Sequence, residues 1–161
     1  MAFFNEDKMD IITFNTFLGD LWIGADDKYI LRVSYSPLVG TEKETKILKQ
    51  AKKEINEYLD GTRQVFTVPI KFEGLPFQEK VWNVLQTIPY GKVWRYVEVA
   101  DVLGDMKMSR AVGGACRVNP LPIIIPCHRA VGVADTGAYI GGVINKKKLI
   151  SLENKSPFYS E

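Results

Sequence analysis

A single histidine, two cysteines and no long apolar run set the first limits on this chain. One imidazole and two thiols cannot complete a four-ligand zinc site unless carboxylates join them, so no metal is expected. The first ten residues, MAFFNEDKMD, have neither the basic start nor the apolar centre of a secretory signal. No stretch approaches the roughly 20 apolar residues that a membrane-spanning helix needs. An intracellular protein with reduced thiols and no membrane partner is the expectation.

Net charge is also scarce. The 21 lysines and arginines nearly balance 19 acidic residues, which by itself argues little about nucleic acid. The balance is uneven, however: acidic residues outnumber basic ones up to residue 74, and basic residues lead beyond it. A polyanion should therefore prefer the second half. With 161 residues, 46% of them apolar and 25% charged, the chain suits one large domain or two small ones.

The pattern favours two. Residues 11–36 are rich in β-branched and aromatic side chains, cut at Leu18-Gly19-Asp20 and Ala25-Asp26-Asp27, which predicts a three-strand antiparallel meander. Lys43 to Leu59 places Ile47, Leu48, Ala51, Ile55 and Leu59 at helical spacing and stops at Gly61, and Gln64 to Phe72 reads as a further strand. Glu73-Gly74-Leu75-Pro76 reads as a linker, so the boundary falls between an α/β domain, 1–74, and a mainly α domain, 75–161. In the latter, Phe77–Ile88 and Tyr96–Leu103 read as helices. Ser109 is expected to cap a third that runs to Val118, and Asn145–Leu152 reads as a last one. Two short helices joined by Gly104–Met108 have the spacing of a helix-turn-helix, although simple packing gives the same spacing. On the second of them, Arg110 and Arg117 bracket Ala111, Gly113, Gly114 and Ala115, a surface with almost no side-chain bulk. Each helical glycine costs about 0.5–1 kcal/mol relative to alanine, which suits a visitor that must approach the backbone, or a close helix contact in the core.

The lone histidine follows a cysteine in Ile123-Ile124-Ile125-Pro126-Cys127-His128-Arg129. This reads as a buried strand that delivers a sulfur where regular structure stops, with two neighbours able to lower its pKa. Cys116, between Ala115 and Arg117, reads as core packing.

Ile88-Pro89-Tyr90-Gly91, Tyr96, Ser109–Ala115, Arg117, Asn119-Pro120, Ile125–Arg129, Gly141-Gly142 and Lys146–Glu153 together resemble the O6-alkylguanine-DNA alkyltransferases. The agreement covers residues 77–153 and is looser before residue 74. The resemblance implies a ribonuclease-H-like first domain that braces a winged-helix-like second one. It implies irreversible, single-turnover transfer of an alkyl group from O6-alkylguanine, and from O4-alkylthymine, in duplex DNA to Cys127, without cofactor. His128 would be the base acting through water, Glu153 its orienting carboxylate, Asn119 the fixer of the turn before the cysteine, and Tyr96 a proton donor that also crowds the target's phosphate. Ser109, Arg110, Ala111, Gly113, Gly114, Arg117 and Tyr96 would meet the DNA minor groove, with Arg110 replacing the extruded nucleotide. Tyr96, Arg117, Asn119, Tyr139, Ile140 and Gly141 would form the base pocket. The resemblance further implies a monomer in the cytoplasm of a prokaryote, or in a eukaryotic nucleus. Ile140, where some relatives carry serine, leaves the tolerance for large adducts open.

Two other readings compete. A cysteine hydrolase needs a histidine that reaches the sulfur, and the one available is its immediate neighbour. A DNA-binding damage sensor of the alkyltransferase-like type would lack the acceptor thiol, which Cys127 supplies here.

Overall fold

A computed structural model describes residues 8–155. The chain divides into two compact units between Glu73 and Gly74. In the first unit, β1 (Asp10–Thr16), β2 (Gly19–Ala25) and β3 (Ile30–Ser34) form the antiparallel meander, and a two-residue strand β4 (Thr41–Glu42) adds in parallel to β1. The β1–β2 turn closes because Gly19 takes φ 101°, and the Thr16 hydroxyl accepts the Leu18 N–H at 3.0 Å. Helix α1 (Lys46–Leu59) is capped by Thr45 and lays Leu48, Ala51, Ile55 and Tyr58, all fully buried, toward the sheet.

No strand forms over Gln64–Phe72. Its one ladder contact is Ile70 beside Ile30. The N–H groups of Thr67 and Val68 instead donate to Glu54, a carboxylate of α1 that is 3% exposed, at 2.7 and 3.1 Å. A buried acceptor has taken the bonds a neighbouring strand would have made.

In the second unit, α2 (Pro76–Leu85) starts with proline at its first turn and buries Val81, Trp82 and Leu85. The Trp82 indole N–H donates to the Ala115 carbonyl at 2.9 Å and ties α2 to α4. Helix α3 (Tyr96–Val102), a 3-10 turn over Met106–Met108 and α4 (Ser109–Arg117) make the helix pair. Ser109 does not cap α4. Asp105 caps the 3-10 turn by accepting the Lys107 N–H, and Ser109 enters already helical, at φ −57° and ψ −39°. Strand β5 (Trp94–Arg95) pairs in parallel with β6 (Ala130–Val131), and α5 (Val143–Asn154) closes the unit. Among the described residues, no helix is long and apolar enough to cross a membrane.

Candidate active site

The path from α4 to Cys127 is a knot of turns, not the strand expected from its three isoleucines. Asn119, 1% exposed, organises it: its side-chain oxygen accepts the Leu121 N–H and its amide donates to the Ile125 carbonyl, both at 2.9 Å. The Ile125 N–H then returns to the Leu121 carbonyl at 2.8 Å, and Ile123 is held at φ 77°. That left-handed conformation is costly for a β-branched residue, and the surrounding hydrogen bonds hold it in place. Cys127–Arg129 forms a 3-10 turn with the Arg129 N–H on the Pro126 carbonyl. Turning at the cysteine removes the difficulty that neighbours on an extended chain point to opposite faces.

The Cys127 thiol is 2% exposed and also hydrogen bonds to the Asn119 side chain. Burial pushes its pKa up to about 11, against the opposing pull of Asn119 and the Lys146 charge. The resting sulfur is thus a neutral thiol, and not the poised anion that His128 and Arg129 suggested. Arg129 is turned elsewhere. Cys116, also buried, is pushed up to about 12 by desolvation and the neighbouring Cys127.

His128 is fully buried, and its Nε2 lies 2.8 Å from Glu153 Oε2. Glu153 is no exposed helix end. It is 7% exposed in the last turn of α5 and accepts Arg129 Nε and Nη2 at 2.8 and 2.9 Å and the Gly91 N–H at 3.0 Å. Burial raises this carboxyl, but hydrogen bonds from His128 and Arg129 outweigh it and hold the pKa at about 2. An ionised carboxylate only accepts, so the proton in the pair sits on Nε2 and the basic atom of the ring is Nδ1. Burial lowers the histidine's own pKa, with Glu153 opposing and Arg129 and Lys146 assisting.

Sequence reasoning missed Lys146. Its ammonium is fully buried and donates to the carbonyls of Ala130 and Ala138 at 2.7 and 3.2 Å and to the Tyr96 hydroxyl at 3.3 Å. A signal existed: Lys146 lies two helical turns before Glu153, on the same face of α5 as the fully buried Leu149. Tyr96 opens α3, and burial pushes its phenol up to about 12, so it stays protonated at neutral pH.

An open cavity of about 810 Å³ lies beside Tyr96 and Arg117 and is walled by residues 134–138, Val143 and Lys147. Of the residues expected to form the base pocket, Tyr96 and Arg117 line this cavity. Asn119 and Tyr139 are buried, Ile140 is exposed, and these and Gly141 are not among the cavity's lining residues. At φ 74°, Gly137 abuts the Tyr96 hydroxyl so closely that any side chain there would collide with it. On α4, Arg110, Ala111 and Arg117 are exposed. Gly114 meets open space, but Gly113 is buried, and a β-carbon there would touch the Tyr96 ring at 3.7 Å. That is an ordinary van der Waals distance, so the Tyr96 ring leaves room for a β-carbon at 113.

Comparison with known proteins gives a consistent result. Residues 76–155 match the family model of the 6-O-methylguanine DNA methyltransferase DNA binding domain, and residues 11–72 match that of its ribonuclease-like domain. The constitutive methylated-DNA–protein-cysteine methyltransferase of Bacillus subtilis is 41% identical over 130 residues, covering 74% of this chain and 79% of that one. A probable methylated-DNA–protein-cysteine methyltransferase of Acanthamoeba polyphaga mimivirus is 38% identical over 69% of this chain and 75% of its own. The Mycobacterium tuberculosis OGT crystallised in complex with DNA superposes with a TM-score of 0.85 at 32% identity, covering 91% of this chain and 93% of that one.

Proposed function

The chain belongs to the methylated-DNA–protein-cysteine methyltransferases, and from that premise we propose that Cys127 accepts an alkyl group directly from O6-alkylguanine in duplex DNA. The observation that carries this reading is the buried chain of contacts from Asn119 to the Cys127 thiol, together with the 2.8 Å bond between the adjacent His128 and Glu153. A nucleophile, a base and an orienting carboxylate are the parts this chemistry requires.

A thiol at about 11 must lose its proton when substrate is in place. His128 Nδ1 takes it through a relaying water, while Glu153 holds the ring by Nε2. The buried Lys146 charge stabilises the sulfur anion. The thiolate then attacks the alkyl carbon in line, the carbon–sulfur bond forms, the bond to O6 breaks, and guanine leaves with the electron pair. Tyr96 is the proton donor to that anion. Its phenol oxygen already accepts from Lys146, so its hydrogen is available to another acceptor. A thioether has no ready way back, so each molecule acts once. The same displacement extends to O4-alkylthymine.

The target oxygen lies inside the base stack, so the nucleotide must swing out, and weak pairing of an alkylated base lowers that cost. The cavity walled by Tyr96, Arg117 and residues 134–138 has room for it. Exposed Arg110, at the start of α4, fills the gap in the duplex from the minor groove, and Ala111, Gly114 and Arg117 line the approach. DNA binding and alkyl acceptance thus both reside in residues 75–161. The protein acts as a monomer wherever DNA lies, in the cytoplasm of a prokaryote or a eukaryotic nucleus.

Incubation with duplex DNA containing O6-methylguanine should add one methyl mass to the Cys127 peptide and none to the Cys116 peptide. Cys127→Ser should abolish the transfer. An unmodified Cys127 peptide with the lesion intact would end this assignment.

A further inference from the structure

Glu153 is divided between two partners, and the histidine holds the smaller share. His128 reaches Oε2, whereas Arg129 reaches both oxygens, Nε to Oε1 at 2.8 Å and Nη2 to Oε2 at 2.9 Å. The guanidinium is itself fixed from a third element: Nη1 donates to the Ile88 carbonyl at 2.8 Å, and the Tyr90 ring centre lies 5.6 Å from its central carbon. The same turn sends the Gly91 N–H to Oε1. The turn at residues 88–91, the 3-10 turn at 127–129 and the end of α5 therefore converge on one buried carboxylate.

A carboxylate paired with histidine alone stabilises the imidazolium and makes the ring a stronger base. A bidentate guanidinium on the same oxygens offsets that effect, because the ring then sees a nearly neutral ion pair. We propose that Arg129 is a positioning residue for alkyl transfer: by gripping both oxygens of Glu153 it fixes the carboxylate's orientation and withholds its charge from His128, so that the imidazole rests uncharged with Nδ1 ready to accept. This rests on the reading of His128 as the base.

The groups facing His128 support it. Glu153 and Lys146 approach from α5, and Arg129 from the same 3-10 turn, so two cations and one anion surround a fully buried ring. Such a setting favours the neutral form. A base that stays neutral below ordinary histidine pH remains competent in mildly acidic conditions, at the cost of a weaker pull on the thiol proton.

The chain's single histidine makes the test direct, because one imidazole gives one NMR titration. In the unaltered protein His128 should titrate below its ordinary value of 6.5, and the rate of methyl transfer should fall only below that pH. Arg129→Met should move both the titration and the acid limb of the rate upward by about one pH unit. Arg129→Lys, which keeps charge without the fork, should leave the limb near its original place while slowing transfer about tenfold. Unchanged titration in Arg129→Met, with a rate lost equally at every pH, would reduce Arg129 to a structural staple. A His128 value above 6.5 in the unaltered protein would overturn the proposal even if that variant fails to fold. The titration needs no DNA, so absence of transfer by the unaltered protein would defeat the assigned function while leaving the effect of Arg129 on the imidazole to be read independently.

Discussion

Cys116 and Cys127 are buried to nearly the same degree, yet only one sits in a network able to ionise it. Desolvation raises both thiols and the Lys146 charge lowers both, but Cys127 is lowered further by the Asn119 side chain and its own backbone N–H, whereas Cys116 is raised further by Cys127. Asn119 also satisfies the Leu121 N–H and the Ile125 carbonyl inside the protein. Asn119→Ala strands the Leu121 N–H, while the Ile125 carbonyl keeps the Cys127 N–H at 2.8 Å, and should destabilise the fold by about 1–3 kcal/mol, the cost of one buried unsatisfied group. It should also slow alkylation of Cys127. Urea unfolding checks the first effect, and a variant as stable as its parent would mean that the backbone bonds around Ile123 hold the turn alone. At this scale the adjacency of the one histidine to Cys127 and the turn at Asn119-Pro120 are legible in the sequence. The buried ammonium of Lys146 showed there only through its helical spacing to Leu149 and Glu153, because a run of three lysines reads first as a solvated face.

Helix α4 is the element on which stability and recognition pull in opposite directions. Gly114 meets open space, so alanine there fits, and the fold should gain about 0.5–1 kcal/mol from helix propensity. If DNA approaches that face, the same Gly114→Ala change should weaken duplex binding several-fold. A gain in thermal stability with undiminished DNA affinity would move the binding surface elsewhere. Elements with a clear period are legible in the residues alone: the meander, α1 and α2 follow from alternation and from 3.6-residue spacing. The misreadings share one cause. Gln64–Phe72 and Ile123–Ile125 have strand-like composition, but their N–H groups answer to Glu54 and to the Asn119-centred turn, and a side chain 13 or 14 residues away is not visible to local pattern. Ser109 lost its capping role in the same way, to Asp105.

For the molecule as a whole, acid is the condition that should expose its weak point. His128 has a folded pKa below its ordinary 6.5, so its contribution is present above that pH and is lost as pH falls through it. Glu153, at about 2 against an ordinary 4.5, contributes about 3 kcal/mol above pH 4.5, lost as pH falls toward 2. Both act in the same direction, so destabilisation should begin near pH 6.5, before carboxylates titrate. Because the sole histidine belongs to the second unit, that early loss should fall on residues 74–155. Urea midpoints that do not change between pH 8 and 5 would contradict it. By itself the chain determined its periodic elements, the charge contrast between its halves, and the adjacency of the one histidine to a cysteine, because these depend on neighbours along the backbone. Only the tertiary structure decided that the thiol rests neutral, that Glu153 is buried and that Arg129 serves the carboxylate instead of the sulfur. Those properties depend on desolvation and on partners as far as 62 positions away, such as Gly91 with Glu153, and burial strengthens every such contact by excluding the water that would otherwise screen it.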